Sequence, residues 1–357
     1  MRSRKLISTM LLVLAFLVFA ASIAISFLFF QFDYPVKKNT EESHSIDVPL
    51  ENLIPGNTTA NIAQFIIPED RADIRKNYGS FCSCKDDVFY YTEQRNKQYI
   101  MRNSLANPDA GAPIAEGYDA SYLSVYNNTL YFIGAKDTEK YKIYSCGLNG
   151  GAVDLVKEEN SNITSMVSNS NYLYYTTDNS PSVNYLCYDG KRAGVLLNKT
   201  SNNSNIKLIG SKAQYLYYLS ESGTYELNLL DMSERVLSHQ CCSLYQYPMI
   251  TDKGLLYFSD LSSKEYVLAP FTGGETFKVF DSSFFSGFPR TISYDSGYLF
   301  VLSNDSVYYT ALGESNASQI KGVTVTEKGT FRIANGYCIY NDDEKISSVG
   351  INWILAT

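Results

Sequence analysis

The stretch YLYYTT, residues 172–177, decides the fold, because the chain repeats this kind of uncharged aromatic and aliphatic run after a turn of Asn, Asp, Gly or Ser. The copies lie at residues 88–91, 130–132, 172–175, 215–218, 255–258, 298–301 and 337–340. Equivalent positions are 39 to 43 residues apart. A fixed period of this size is typical of architectures that repeat one supersecondary unit.

Each repeat also contains further strand-like segments around the aromatic run. A segment such as 163–167 precedes the run, and a tight turn such as Asn127-Asn128 joins the two. A third strand such as 141–146 and a fourth such as 153–156 follow the run. Turns of this composition favour hairpins, so each unit predicts four antiparallel strands.

Four antiparallel strands per forty residues, repeated around an axis, leave few sheet edges exposed, which is the β-propeller architecture. The sequence therefore predicts an all-β domain over residues 62–357, a single propeller of about seven four-stranded blades, with six or eight blades left open. We expect residues 337–357 to form the last blade and the stretch near 62–67 to supply a closing strand.

Three of the repeats carry a short motif. YYTE at 90–93, YYT at 174–176 and YFSD at 257–260 resemble the Tyr-Trp-Thr-Asp motif of low-density-lipoprotein-receptor-type propellers, in the tyrosine-rich version found in bacterial membrane-anchored surface proteins of unknown function. The resemblance covers about residues 80–355. It implies the propeller fold and a non-catalytic, partner-binding style of function. The receptor propellers have six blades and a tryptophan where this chain has Tyr or Phe, so receptor biology does not carry over.

The N-terminus predicts a membrane anchor. Residues 1–5 contain three cations and no acid, and residues 6–30 contain no charged residue, which is long enough for a helix to span a hydrocarbon core of about 30 Å. Basic residues before the span favour a cytoplasmic stub at 1–5 and an outside C-terminus. The sequence thus predicts a transmembrane signal anchor at 6–30, a polar tether at 31–61 and an extracytoplasmic propeller at the plasma membrane of a bacterium. A cleaved signal peptide is the alternative, because Ser22-Ile23-Ala24 resembles a cleavage site.

Charge and residue usage argue against several functional classes. The net charge of −7 and the pI near 5.1 give no basic footprint, so we expect no nucleic-acid partner. His44 and His239 are the two histidines, and neither lies in a recognisable catalytic or zinc-binding motif. The sequence predicts no catalytic residue, no metal site and no cofactor.

The aromatic residues and the seven cysteines are first explained by packing. The uncharged strand is the one expected between neighbouring blades, where tyrosine rings fill the gap, although stacking on a ligand remains an alternative. The domain is large enough to fold without disulfides, so mostly reduced cysteines are favoured over a structural bridge.

For function, the sequence favours a surface-anchored binding or scaffolding propeller for a protein, a peptide or a wall glycan. Loops free of packing constraints usually carry function, so we expect binding on the loops after the second strands, which share one face. Six acids in these loops are candidate binding residues: Glu93, Asp178, Glu221, Asp260, Asp305 and Asp342. The alternative is a hydrolase or lyase that uses such carboxylates at the propeller axis.

Overall fold

The computed structural model describes residues 61–62, 81–84, 87–94, 97–105, 111–137, 139–178, 180–199, 205–244, 248–259, 265–281, 291–312, 314, 316–325, 331–334, 336–342 and 345–355. The expected stub, membrane span and most of the tether lie outside these residues, as does Asp260. Within the described part of the chain, no helix is long and apolar enough to cross a bilayer. The anchor at 6–30 stays a prediction.

The described strands form seven antiparallel sheets, here numbered blades 1 to 7 in chain order, and a two-residue strand β1 (Asn61–Ile62) precedes them. Blade 1 contains β2 (Phe81–Cys84), β3 (Asp87–Gln94), β4 (Lys97–Ser104) and β5 (Ala112–Glu116). Blade 2 contains β6 (Asp119–Tyr126), β7 (Thr129–Ala135), β8 (Lys142–Gly147) and β9 (Val153–Lys157). Blade 3 contains β10 (Ile163–Ser168), β11 (Tyr172–Thr177), β12 (Ser182–Cys187) and β13 (Ala193–Asn198).

Blades 4 to 7 follow the same order of strands. Blade 4 contains β14 (Lys207–Lys212), β15 (Tyr215–Ser220), β16 (Gly223–Asn228) and β17 (Glu234–Ser238), and blade 5 contains β18 (Met249–Ile250), β19 (Gly254–Phe258), β20 (Glu265–Pro270) and β21 (Phe277–Asp281). Blade 6 contains β22 (Thr291–Asp295), β23 (Tyr298–Ser303), β24 (Ser306–Ala311) and β25 (Ser318–Gln319). Blade 7 contains β26 (Phe331–Ala334), β27 (Tyr337–Asp342) and β28 (Lys345–Gly350), and a short helix α1 (Asn352–Leu355) follows it.

The blades are arranged as a seven-bladed propeller, as the forty-residue period predicts. First strands of consecutive blades contact each other, as β6 contacts β10 and β10 contacts β14. Blades 1 and 7 share a small apolar cluster of Val88, Leu105 and Ile339, which closes the ring. The fold therefore confirms the all-β class and the count of seven blades.

The last blade departs from the expected four strands. In the described residues blade 7 has three strands, and α1 takes the place of the expected fourth strand. Ile351 and Ile354 are buried there in the cluster of blades 6 and 7, which also contains Phe331. The expected closing strand is wrong at Ile62, which pairs with Gly210 of β14. The pairing occurs at the free edge of β14, where the backbone groups would otherwise lack a neighbouring strand. Residues 63–67 lie outside the described part.

Tyrosines of the second strands fill the space between blades, as the packing interpretation predicts. Tyr172, Tyr174, Tyr217 and Tyr218 are all at most 2% exposed. The cluster that joins blades 3 and 4 contains Tyr174 and Tyr218 together with aliphatic side chains from both blades. Burial of such large rings dominates the favourable free energy of this interior.

Near the axis, serine hydroxyls connect the first strands of neighbouring blades. Ser211 Oγ in blade 4 donates to the Ser168 carbonyl in blade 3 at 2.7 Å, and Leu208 N donates to Ser165 Oγ at 2.9 Å. Small hydroxyl side chains allow the first strands to approach and satisfy backbone groups that burial would otherwise leave unpaired.

Candidate functional site

The propeller has two faces that differ in the turns they carry. Because antiparallel strands alternate in direction, the turns from first to second and from third to fourth strand emerge on one face, the turn face. The connections from second to third strand and from blade to blade emerge on the opposite face, the loop face. Glu93, Asp178, Glu221, Asp305 and Asp342 all lie at the ends of second strands or directly after them, at the loop face.

Two of the described acids of the loop face bond to residues of nearby turns. Asp178 Oδ2 accepts a hydrogen bond from Asn162 Nδ2 at 2.9 Å, and Asp305 Oδ1 accepts one from Ser306 Oγ at 2.9 Å. Glu221 is exposed. No group of three or more metal-ligating side chains occurs among the residues that the structure describes. The role of these acids in binding stays a prediction.

A pocket of about 420 Å³ lies on the turn face, between blades 2 and 3. The turn from β6 to β7 forms one side, and the turns from β10 to β11 and from β12 to β13 form the other. Its lining combines aromatic rings with polar side chains: Tyr126, Asn127, Thr129, Tyr131, Asn171, Tyr172, Cys187, Tyr188, Asp189 and Arg192.

Three tyrosines build the aromatic wall across the blade boundary. Tyr126 of blade 2 stacks on Tyr188 of blade 3 with ring centroids 3.7 Å apart and planes at 7°. The ring centroids of Tyr131 and Tyr188 are 5.2 Å apart, and the Tyr131 hydroxyl donates to the Tyr188 carbonyl at 3.2 Å. The Tyr188 hydroxyl in turn donates to the Asn169 carbonyl. These contacts fix the rings before any ligand arrives.

The polar rim comes from two tight turns. Asp189 Oδ1 accepts the backbone N–H of Lys191 at 3.0 Å, and Gly190 takes the left-handed conformation at φ +70°, so the turn holds Asp189 and Arg192 at the pocket mouth. Asn127 has a φ of 44° in the facing turn, a conformation that asparagine tolerates better than most residues. Amide, carboxylate and guanidinium groups therefore border one aromatic wall.

At neutral pH, the pocket presents neutral phenols and a neutral thiol. Burial raises the pKa of Tyr188, and it also raises the pKa of Cys187, against the opposing effect of Arg192. Cys187 is therefore a poor nucleophile, because the thiolate is the reactive form. Asp189 and Arg192 bring one negative and one positive charge, and the arrangement is suited to stacking and hydrogen bonding.

Sequence reasoning missed this pocket. Asn127 was identified only as a turn residue, and the tyrosines were explained first by packing, with stacking on a ligand as the alternative. The residues that line the pocket come from three separate turns and two blades, so no local motif contains them. The usable signal was Arg192, a cation next to an Asp-Gly turn, but placing it beside Asn127 requires the three-dimensional arrangement of the blades.

Comparisons with known proteins show the fold and no more. No protein-family model matches the sequence, and no curated protein matches it. Among solved structures, the chain is similar to one in a nidogen/laminin complex, with 9% identity, 76% of this chain and 89% of that chain covered, and a TM-score of 0.38.

Two further structures have TM-scores above 0.5. PorZ, described as an essential bacterial surface component of the type-IX secretion system of Porphyromonas gingivalis, is 13% identical, with 83% of this chain and 38% of that chain covered and a TM-score of 0.52. A prolyl endopeptidase is 11% identical, with 82% of this chain and 49% of that chain covered and a TM-score of 0.53. The chain spans less than half the length of either, and at such identities the similarity shows only a shared β-propeller fold.

Proposed function

We propose that this protein is a non-catalytic binding or scaffolding module, anchored in the plasma membrane through residues 6–30, that engages a protein, a peptide or a wall glycan. The observation that carries the proposal is the pocket between blades 2 and 3, with its tyrosine wall and its rim of Asn127, Asp189 and Arg192. Binding sites typically combine a concave aromatic lining with a few convergent polar groups, and this pocket has both.

The pocket is better suited to binding than to catalysis. The phenol of Tyr188 and the thiol of Cys187 stay protonated because burial raises the pKa of each group. Arg192 is exposed and can donate several hydrogen bonds in a fixed plane. A sugar ring or an aromatic peptide side chain would find a stacking surface and in-plane hydrogen bonds at this position.

A position at the cell surface is the second part of the proposal. The predicted anchor supports it, and the similarity to PorZ, itself described as a bacterial surface component, is compatible with it. The identity of 13% carries the fold alone, so the surface role rests on the sequence of the N-terminus.

The alternative function is a hydrolase or lyase that uses carboxylates of the loop face. Asp178, Glu221 and Asp305 follow equivalent second strands and therefore share that face, which is the observation in its favour. One structurally similar chain belongs to a prolyl endopeptidase. The described side chains of Asp178 and Asp305 already bond to residues of nearby turns, which favours the binding hypothesis.

Binding arrays with matched variants test the proposal. The full-length protein is applied to an array of bacterial glycans and short peptides, and the dissociation constant of each positive probe is measured. Arg192→Gln should weaken binding about tenfold, which corresponds to about 1.4 kcal/mol. Its melting temperature should not change, because Arg192 is exposed.

Asp305→Lys is the control on the loop face and should leave affinity unchanged. Weakened binding in Asp305→Lys with normal binding in Arg192→Gln would contradict the pocket and favour the acids of the loop face. Turnover of a glycan or peptide probe that Asp178→Asn or Glu221→Gln abolishes would instead support the enzymatic alternative.

A further inference from the structure

A buried arginine lies where the ring of blades closes. Arg332 belongs to β26, the first strand of blade 7, and is 2% exposed. Its guanidinium carbon lies 5.8 Å from the centroid of the Phe81 ring in β2, the first strand of blade 1. The cation is therefore placed in the junction between the last blade and the first.

Most of the hydrogen-bonding capacity of this guanidinium is unused. Nη1 donates to the Phe331 carbonyl at 2.8 Å, whereas Nε and Nη2 are buried and have no hydrogen-bond partner among the residues that the structure describes. Nε and Nη2 are the two nitrogens whose N–H bonds point in parallel along one side of the group. That side-on fork matches two oxygens of a carboxylate or a phosphate.

Within the described part of the chain, no carboxylate pairs with Arg332. The junction cluster consists of Val88, Leu105 and Ile339, with Phe81 and other aromatic rings packed against it. Burial lowers the pKa of Arg332 to about 9, so the group is still a cation at neutral pH. A buried charge without a counterion is strongly unfavourable, because it loses hydration and gains nothing in return.

The repeat itself does not require a charge at this position. Arg332 pairs with Ile339, the central residue of the second strand of its blade. Four other blades have a small or an apolar residue at the equivalent place opposite the second strand: Ser124, Val167, Gly210 and Ser293. Blades 2, 3, 4 and 6 thus fold without a cation there, so blade packing alone does not explain Arg332.

We propose that the junction between blades 7 and 1 is an anion site, in which Arg332 binds a carboxylate or phosphate group side-on through Nε and Nη2. The site is separate from the pocket between blades 2 and 3 and does not depend on the function proposed for that pocket. An anion held there supplies the missing counterion at the junction.

Anion-dependent melting tests the site. The full-length protein is titrated with sodium acetate, sodium phosphate and sodium chloride at constant ionic strength. We expect a saturable rise in melting temperature of about 5 °C at a hundredfold excess over the dissociation constant. The rise should occur with acetate or phosphate and exceed that with chloride, and the more effective salt identifies the oxyanion class.

Three variants decide the interpretation. Arg332→Met should abolish the rise, and Arg332→Lys, which keeps the charge without the fork, should respond to the oxyanions no more than to chloride. Arg235→Met is the control, because Arg235 already pairs with Glu226 at 2.7 Å, and it should respond as the unchanged protein does.

An equal rise in Arg332→Met, or no oxyanion-specific rise in the unchanged protein, would overturn the proposal. If Arg332→Met does not fold, Arg332→Lys decides alone. An oxyanion preference that persists in Arg332→Lys contradicts the fork, and a lost preference supports it.

Discussion

Among the described residues, the junction between blades 3 and 4 and the junction between blades 7 and 1 each bury one cation, but only the first junction pairs its cation with a carboxylate. Lys199, at the end of blade 3, is 8% exposed; its Nζ lies 3.3 Å from Glu234 Oε2 and 3.9 Å from the centroid of the Tyr225 ring. Arg332 has an aromatic neighbour but no carboxylate among the described residues. The same fold therefore neutralises one buried cation within the chain, which makes the unpaired cation at the other junction informative.

Alkaline pH should have the largest effect on the free energy of unfolding, because it ionises tyrosines that are buried between blades. Burial raises the pKa of Tyr174, which packs between blades 3 and 4, and of Tyr217, which stacks on Phe271 of blade 5, above the ordinary value near 10. The stability that these neutral phenols contribute is fully present below pH 10 and is lost as pH rises toward their folded-state pKa values. Each contributes a loss of about 1.4 kcal/mol per pH unit above 10.

We therefore expect the free energy of unfolding, measured in urea, to fall by several kcal/mol between pH 8 and pH 11. The variant Tyr174→Phe has one titrating phenol fewer and should lose correspondingly less between the two pH values. An equal free energy of unfolding at pH 8 and pH 11 would show that the buried phenols do not make stability depend on pH.

Removal of the carboxylate from the paired junction should have the next largest effect. Glu234→Gln leaves Lys199 buried without its counterion and weakens the hydrogen bond that the Tyr218 hydroxyl donates to Glu234. We expect a loss of about 2 kcal/mol in the free energy of unfolding, measured in urea. The control Glu265→Gln breaks an exposed pair with Lys278 and should cost at most about 0.5 kcal/mol. A similar cost in both variants would mean that the buried pair adds nothing.

The smallest expected effect concerns the serine contact between blades 3 and 4. Ser211→Ala removes the hydroxyl that donates to the Ser168 carbonyl, and both residues lie in the interior. We expect a loss of about 1 kcal/mol in the free energy of unfolding, measured in urea. No change would indicate that another donor replaces the hydroxyl.

The blade count was predictable because one simple pattern repeats. The uncharged run at 172–175 lies in β11, and each of its copies lies in the second strand of one of the remaining six blades. The end of the chain was less predictable. Residues 352–355 have no marked strand or helix pattern, and whether they form a fourth strand depends on where Ile351 and Ile354 find apolar partners.

The candidate sites were harder to predict than the fold, because they lie between blades. Arg332 lies in a strand of the kind predicted before each aromatic run, but whether it finds a charged partner depends on the residues of blade 1 that face it. The pocket likewise joins Tyr126 of blade 2 to Tyr188 of blade 3. Contacts between units more than forty residues apart leave no local signature.

Position-specific photo-crosslinking most directly tests the central claim that the pocket on the turn face carries binding. A diazirine-bearing amino acid replaces Thr129, which lines the pocket, or Glu221, which is exposed on the loop face, in the full-length protein within intact cells. We expect an adduct after illumination from position 129, reduced when Arg192→Gln is added, and none from position 221. An adduct from position 221 alone would contradict the pocket and place binding on the loop face.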